Sequence, residues 1–224
     1  PVSSAERAMR ALVGTAARVR ERGVAGMLSA SLDDLATWAS DEQSDILQVA
    51  APDGTVTLLF SDIEDSTALN DRLGDKAWVR VLASHDALVR AMVDKRRGRV
   101  VKTAGDSFMV AFREPVAAVL AARGIQRALA RTLDPRLRLT PVRVRIGIHT
   151  GTVISRDGDY FGRNVAMAAR VAALADGGEV LVTQAVRDEA GASEDRRMRF
   201  EEAGTVELKG LPGEHDLWRL VVET

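Results

Sequence analysis

No cysteine occurs in the 224 residues. That excludes disulfides, thiolate zinc sites and a cysteine nucleophile, and it suits an intracellular chain. No apolar run approaches the roughly 20 residues a membrane-crossing helix needs; the longest covers residues 116–122. No secretory signal opens the chain, so a cytoplasmic location without membrane insertion is expected. No charge of one sign dominates: 31 basic residues face 32 acidic ones, a formal net charge of −1, which gives no general pull toward nucleic acid or an anionic surface. The single basic run, KRRGR at 95–99, has no aromatic residue interleaved and suits a solvated helix end better than a nucleic-acid platform. Neither G-x-x-x-x-G-K-[ST] nor G-x-G-x-x-G occurs, so a P-loop and a Rossmann phosphate site are both excluded. Internal repeats and low-complexity tracts are missing too. The chain opens on Pro1 rather than Met, and a piece of a longer protein is expected.

What is present is a 46% hydrophobic chain, enough to bury one core with an appendage. Residues 5–20 and 31–40 carry helical spacing, with Ser31 as an N-cap, so residues 1–50 are expected to be a helical segment, such as the end of a regulatory region. The turn signal APDG at 51–54 marks a boundary, with a second domain over 51–224. TVTLLF (55–60) is a β-branched, apolar run fit for a buried strand. It ends in Asp62, Glu64 and Asp65, where a helix should begin near Ser66 and Thr67. Trp78, Val81, Leu82, His85, Leu88, Val89 and Met92 then follow a helical template. RVVKT and SFMVAF, separated by AGD, predict a hairpin with Asp106 at its bend. A helix over about 114–132, a strand within 141–151 and a helix over about 162–174 follow. The order β-α-β-β-α-β predicts an α+β fold with a ferredoxin-like core, extended by C-terminal strands from EVLVT, TVELKG and HDLWRLVV.

In that topology the first strand neighbours the hairpin, so Asp62 and Asp106 can converge. Two carboxylates at one place repel unless a cation joins them, and hard oxygen donors select Mg²⁺ or Mn²⁺. Acidic residues after a strand also suit a first helical turn, where they favour the dipole; Asp106 at the hairpin tips the balance toward a metal. A helix starting at Ser66 would add free N–H groups at the same corner, and metal plus helix N-terminus suggests a nucleoside triphosphate. His85, on the apolar seam of its helix, and His149, inside a strand, are expected to be structural.

Four ordered motifs, FSDIEDST, VKTAGDSFMVAF, VRIGIHTG and DYFGRNVAMAARV, together resemble the class III nucleotidyl cyclases over about residues 53–222. The resemblance implies adenylyl cyclase activity, ATP to 3′,5′-cyclic AMP and pyrophosphate. It implies two Mg²⁺ or Mn²⁺ ions held by Asp62, Asp106 and the carbonyl of Ile63, one activating the ribose 3′-hydroxyl and one bracing the triphosphate. Adenylyl members of the family place a Lys and an Asp where Lys102 and Asp159 stand. Adenine offers N1 as acceptor and N6 as donor to such a pair, and guanine presents the opposite pattern. By the same likeness Arg145 and Lys209 would bind the triphosphate, and Arg170 would stabilise charge on the α-phosphate. Because Lys102 and Asp106 share a hairpin yet would serve opposite ends of the nucleotide, a homodimer with two shared sites is implied.

One position departs from the pattern. The family's ribose-orienting Asn is Ala166 here, and Asn164 lies two residues early, turned by roughly 200° on a helix. Losing a preorganised donor costs about 2.7–4 kcal/mol of transition-state stabilisation, so a slow enzyme is expected. The alternatives are a degenerate cyclase domain acting as a nucleotide-binding regulatory module and a diguanylate cyclase, whose signature AGDSF echoes faintly but without its second acidic residue.

Overall fold

The computed structural model describes residues 49–152, 159–193 and 198–223, with the side chains of 159–161 set aside. The helices expected over 1–50 lie outside the described residues. Strand β1 (Thr55–Ile63) is the β-branched, apolar run anticipated above, and it is buried on both faces. Helix α1 (Ser66–Leu73) follows, then α2 (Asp75–Asp94), with Gly74 between them at φ 74°, a left-handed value that glycine adopts without strain. Strands β2 (Arg99–Ala104) and β3 (Ser107–Phe112) form the hairpin, turning at Gly105 and Asp106. Helix α3 (Pro115–Ala130) begins on a proline, which costs nothing in the first turn. A short helix α4 (Pro135–Leu139), capped by the Asp134 side chain, was not anticipated by the helical periodicity, since five residues are too few to show one. Strand β4 (Val144–Thr152), helix α5 (Asp159–Leu174), strand β5 (Val180–Thr183), helix α6 (Gln184–Gly191) and the hairpin β6 (Phe200–Leu208) to β7 (Leu211–Leu220) complete the chain.

The described strands form one seven-stranded sheet ordered β2-β3-β1-β4-β5-β7-β6. Its first four strands are antiparallel throughout, the ferredoxin-like arrangement the element order predicted, and only β4 and β5 pair in parallel. Helix α5 starts at Asp159, three residues earlier than its apolar pattern suggests. Strand β6 starts at Phe200, ahead of the TVELKG run, because pairing with β7 extends it.

The two faces of the sheet differ. On one, α2 and α3 cover Leu59, Ile63, Phe108, Val110, Phe112, Val144, Ile146 and Ile148 in a large core. On the other, α5 lays Val165, Ala168, Ala169 and Ala172 on Val56, Leu58, Phe60, Met109 and Ala111. Small residues let α5 approach closely. It crosses β4 at Gly147, where a Cβ would collide with the backbone of Ala172.

Candidate active site

Alternation along a strand decides which side chains can meet. Leu58 and Phe60 face α5, so Asp62 points the same way; Arg145, its cross-strand partner on β4, does too. Phe60 pairs with Gly147, the crossing point of α5. Asp62 and Arg145 therefore stand two residues beyond the helix's cover, and their side chains are 26% and 15% exposed. The turn of the β2–β3 hairpin arrives at the same corner. The Ile63 N–H donates to Asp106 Oδ2 at 2.9 Å, and the Ser107 hydroxyl donates to Asp62 Oδ1 at 2.9 Å. Arg145 Nη2 donates to the other oxygen, Asp62 Oδ2.

The two carboxyl groups are close enough to perturb one another. Burial, then the charge of Asp62 and a hydrogen bond to it, push the Asp106 carboxyl up to about 7 against the opposing pull of the Ile63 N–H. A cation placed between two such groups relieves their repulsion. The donors fit a small hard cation: carboxylate oxygens from Asp62 and Asp106 and the main chain at Ile63, with α1 opening three residues after Ile63 at Ser66. Among the described residues no cluster of three or more His, Cys, Asp or Glu side chains forms a complete metal cage. An ion here would take its remaining oxygens from water and substrate, the habit of Mg²⁺ at phosphate sites.

The other sequence-derived positions come from other elements. Lys102 is half-buried on the edge strand β2, paired with Met109 and so directed to the α5 face. Arg170 lies in the second half of α5, and Lys209 is exposed at the β6–β7 turn on the far side of the sheet. The backbone of Asp159 opens α5, and its side chain lies outside the described residues. Asp62, Asp106 and Arg145 meet at the corner, and the other positions come from β2, α5 and the β6–β7 turn. Asn164 is turned away from any substrate role: its amide donates to the Thr152 carbonyl at 2.7 Å and its oxygen meets His149 Nε2 at 3.2 Å. His149 Nδ1 meets Thr183 Oγ1 at 3.0 Å, and burial, opposed by Asn164 and helped by the charge of His215, pulls its pKa down to about 4. His85 is fully buried, edge-on to Phe108.

Sequence reasoning passed over two residues at the corner. Ser107 was signalled only by its place directly after Asp106. Glu64 was visible as a third carboxylate, but its partners lie far along the chain: the Gly177 N–H donates to Glu64 Oε1 at 2.8 Å, and Arg143 pairs with Glu64 Oε2 at 3.3 Å.

Residues 49–222 match the model of the adenylate and guanylate cyclase catalytic domain, and the chain belongs to that family. Two receptor-type adenylate cyclases are similar to it. One, from Trypanosoma brucei brucei, is 33% identical, the match covering 75% of this chain and 17% of that protein; another, from Leishmania donovani, is 34% identical over 76% of this chain and 16% of its own length. The chain thus spans less than a fifth of these curated relatives. A solved adenylate cyclase from Trypanosoma brucei, studied in its monomeric state, matches with a TM-score of 0.65 at 32% identity, covering 76% of this chain and 90% of that one. The adenylyl cyclase CyaB from P. aeruginosa matches with a TM-score of 0.65 at 24% identity, covering 76% of this chain and 95% of that one, a likeness of fold. Among the described residues no helix is long and apolar enough to cross a membrane.

Proposed function

We propose that this chain is an adenylate cyclase that converts ATP to 3′,5′-cyclic AMP and pyrophosphate at sites shared between two copies. The observation that carries the proposal is the meeting of Asp62 and Asp106 at the end of β1, tied together through the Ile63 N–H and the Ser107 hydroxyl, two carboxyl groups that a divalent cation would join. Asp62, Asp106 and the Ile63 carbonyl would hold two Mg²⁺ or Mn²⁺ ions, which supply Lewis-acid activation of the 3′-hydroxyl and charge neutralisation on the triphosphate. In the reaction the 3′-oxygen bonds to the α-phosphorus, its proton leaves, and the bond to the β-phosphate bridging oxygen breaks to release pyrophosphate. Arg145, which pairs with Asp62 at this corner, would offer its guanidinium to the triphosphate. Arg170 offers a guanidinium to the α-phosphate, where charge develops, and Lys209 a further cation to the phosphate tail. Lys102 donating to adenine N1 and Asp159 accepting from N6 would select ATP over GTP.

Lys102 and Asp106 share one hairpin yet would serve opposite ends of the nucleotide, which favours a two-fold dimer: the Asp62 corner of one copy would face Lys102, Asp159 and Arg170 of its partner, giving two equivalent sites. ATP as substrate places the reaction in the cytoplasm. Ala166 favours a second reading, a nucleotide-binding regulatory module without turnover, because Asn164 is committed to His149 and Thr152 and leaves the ribose without that donor. Incubating the chain with ATP or GTP and Mn²⁺ and identifying the product by mass separates the two. Cyclic AMP from ATP, formed slowly, is expected; nucleotide binding without any cyclic product would favour the regulatory module.

A further inference from the structure

The three carboxylates that end β1 have three different fates. Asp62 faces the metal corner and Asp65 is exposed, while Glu64 is drawn sideways into a closed set of bonds. Its main-chain N–H donates to the Arg143 carbonyl at 2.8 Å, its Oε1 accepts from the Gly177 N–H at 2.8 Å, and its Oε2 pairs with Arg143. Arg143 closes the ring by donating through Nε and Nη2 to the Gly177 carbonyl at 3.0 and 2.6 Å. The fit is tight. A Cβ on Gly177 would collide with Glu64 Oε2 and come within 2.7 Å of Arg143 Cβ. The bonds stand where the backbone needs holding, since Asp65, the next residue, adopts φ 54°, a left-handed conformation that non-glycine residues rarely take. The loop that Glu64 grips, residues 175–179, runs on directly from α5 and is anchored in turn by Gly178 N–H to the Val144 carbonyl at 2.9 Å.

We infer that Glu64 is a positioning residue for the metal site: it fixes the turn that aims the Ile63 carbonyl and the Asp62 carboxylate, using the Gly177 loop as its brace. The inference rests on the two-metal reading above. Arg143 neutralises Glu64, so this carboxylate is held as a brace and does not compete as a ligand. Groups that orient metal ligands in this way usually change metal affinity by about 10- to 100-fold when removed. Because the braced loop continues from the helix that carries Arg170, the ring also joins the metal corner of one proposed half-site to the helix that serves the other.

The test is a Mn²⁺ titration of the purified chain, followed by electron paramagnetic resonance of the free ion, with 3′-deoxy-ATP as a nucleotide that cannot cyclise. Glu64→Ala should raise the Mn²⁺ concentration for half-saturation by about tenfold or more, and kcat should recover at saturating Mn²⁺. Gly177→Ala, which leaves Glu64 in place but pushes the loop off it, should show the same shift; Glu64→Gln, which keeps an acceptor but loses the charge, a smaller one. A role in stability alone would lower the folded fraction without moving the half-saturation point. Unchanged Mn²⁺ affinity in folded Glu64→Ala and Gly177→Ala overturns the inference, and if Glu64→Ala does not fold, Gly177→Ala decides. Asp62→Ala is the control: loss of Mn²⁺ there with retention in the Glu64 variants overturns the inference alone, whereas retention in Asp62→Ala overturns the metal-pair reading and the inference with it.

Discussion

The two faces of the sheet are built on different terms. The α2/α3 face is closed: phenylalanines, isoleucines and valines fill it, the buried His85 is packed against Phe108, and its job is to pay for ordering the chain. The α5 face is thinner, covered by a helix of small residues that stops short of the strand ends. Four polar positions with a proposed role, Asp62, Lys102, Arg145 and Arg170, are on or above that second face. Full cover over the same strands would take those charges out of water, at a cost of several kcal/mol per ion. An incomplete face leaves Asp62 and Arg145 partly open to solvent at the strand ends.

If the division holds, a change on the thin face should abolish chemistry and spare the fold. Asp62→Ala or Asp106→Ala should lower cyclic AMP formation by more than about 1000-fold, roughly 4 kcal/mol of lost charge stabilisation, while circular dichroism and the unfolding midpoint stay near wild type. Activity within tenfold of wild type in either variant at limiting Mn²⁺ would erase the distinction.

The converse substitution is Phe112→Ala, fully buried on the closed face and opposite Thr57, far along β1 from Asp62. It should cost about 3–5 kcal/mol of stability. The Mn²⁺ affinity of the molecules that remain folded should not change, and a shift there would show that the closed face also tunes the site.

A polar residue on the thin face should make its own mark on stability. His149 is held neutral, its pKa about 4 against an ordinary 6.5. The unfolded chain takes up a proton between these values that the fold refuses, so the contribution of His149 is fully present above pH 6.5 and is lost as pH falls toward 4. The loss amounts to at most about 3 kcal/mol. His149→Asn should flatten that part of the stability profile measured by urea unfolding, and an unchanged slope would mean that the ring is protonated in the fold.

The smallest effect expected is on choice of base. Lys102→Glu with Asp159→Gly replaces the donor to adenine N1 by an acceptor and removes the acceptor for N6, and should lower the ratio of ATP to GTP rates by about 10- to 100-fold, the order of one or two lost polar contacts. An unaltered ratio would remove these two residues from base reading.

What could be read in advance follows the same division. The βαββαβ order was legible because each element carries its own local pattern, and that order fixes β1 beside the hairpin, hence Asp62 beside Asp106. The partners of Glu64 were not legible, because Gly177 lies 113 residues away and no local spacing links the two. The early start of α5 at Asp159 was hidden for a related reason: its first turn is polar and aromatic, and the apolar stripe begins only at Val165. Ala166 was readable as a departure from the family motif. The engagement of Asn164 with His149 and Thr152 is tertiary and emerged only with the fold.

The claim that the Asp62 corner and the α5 group serve different nucleotides is tested most directly by mixing Asp62→Ala with Arg170→Ala, each nearly inactive alone, under conditions of proven subunit exchange. Random pairing makes half of the dimers mixed, and each mixed dimer has one intact site and one with both defects, so recovery of up to about a quarter of wild-type activity is predicted. No recovery would mean that both residues act within a single chain, and the shared site would have to be abandoned.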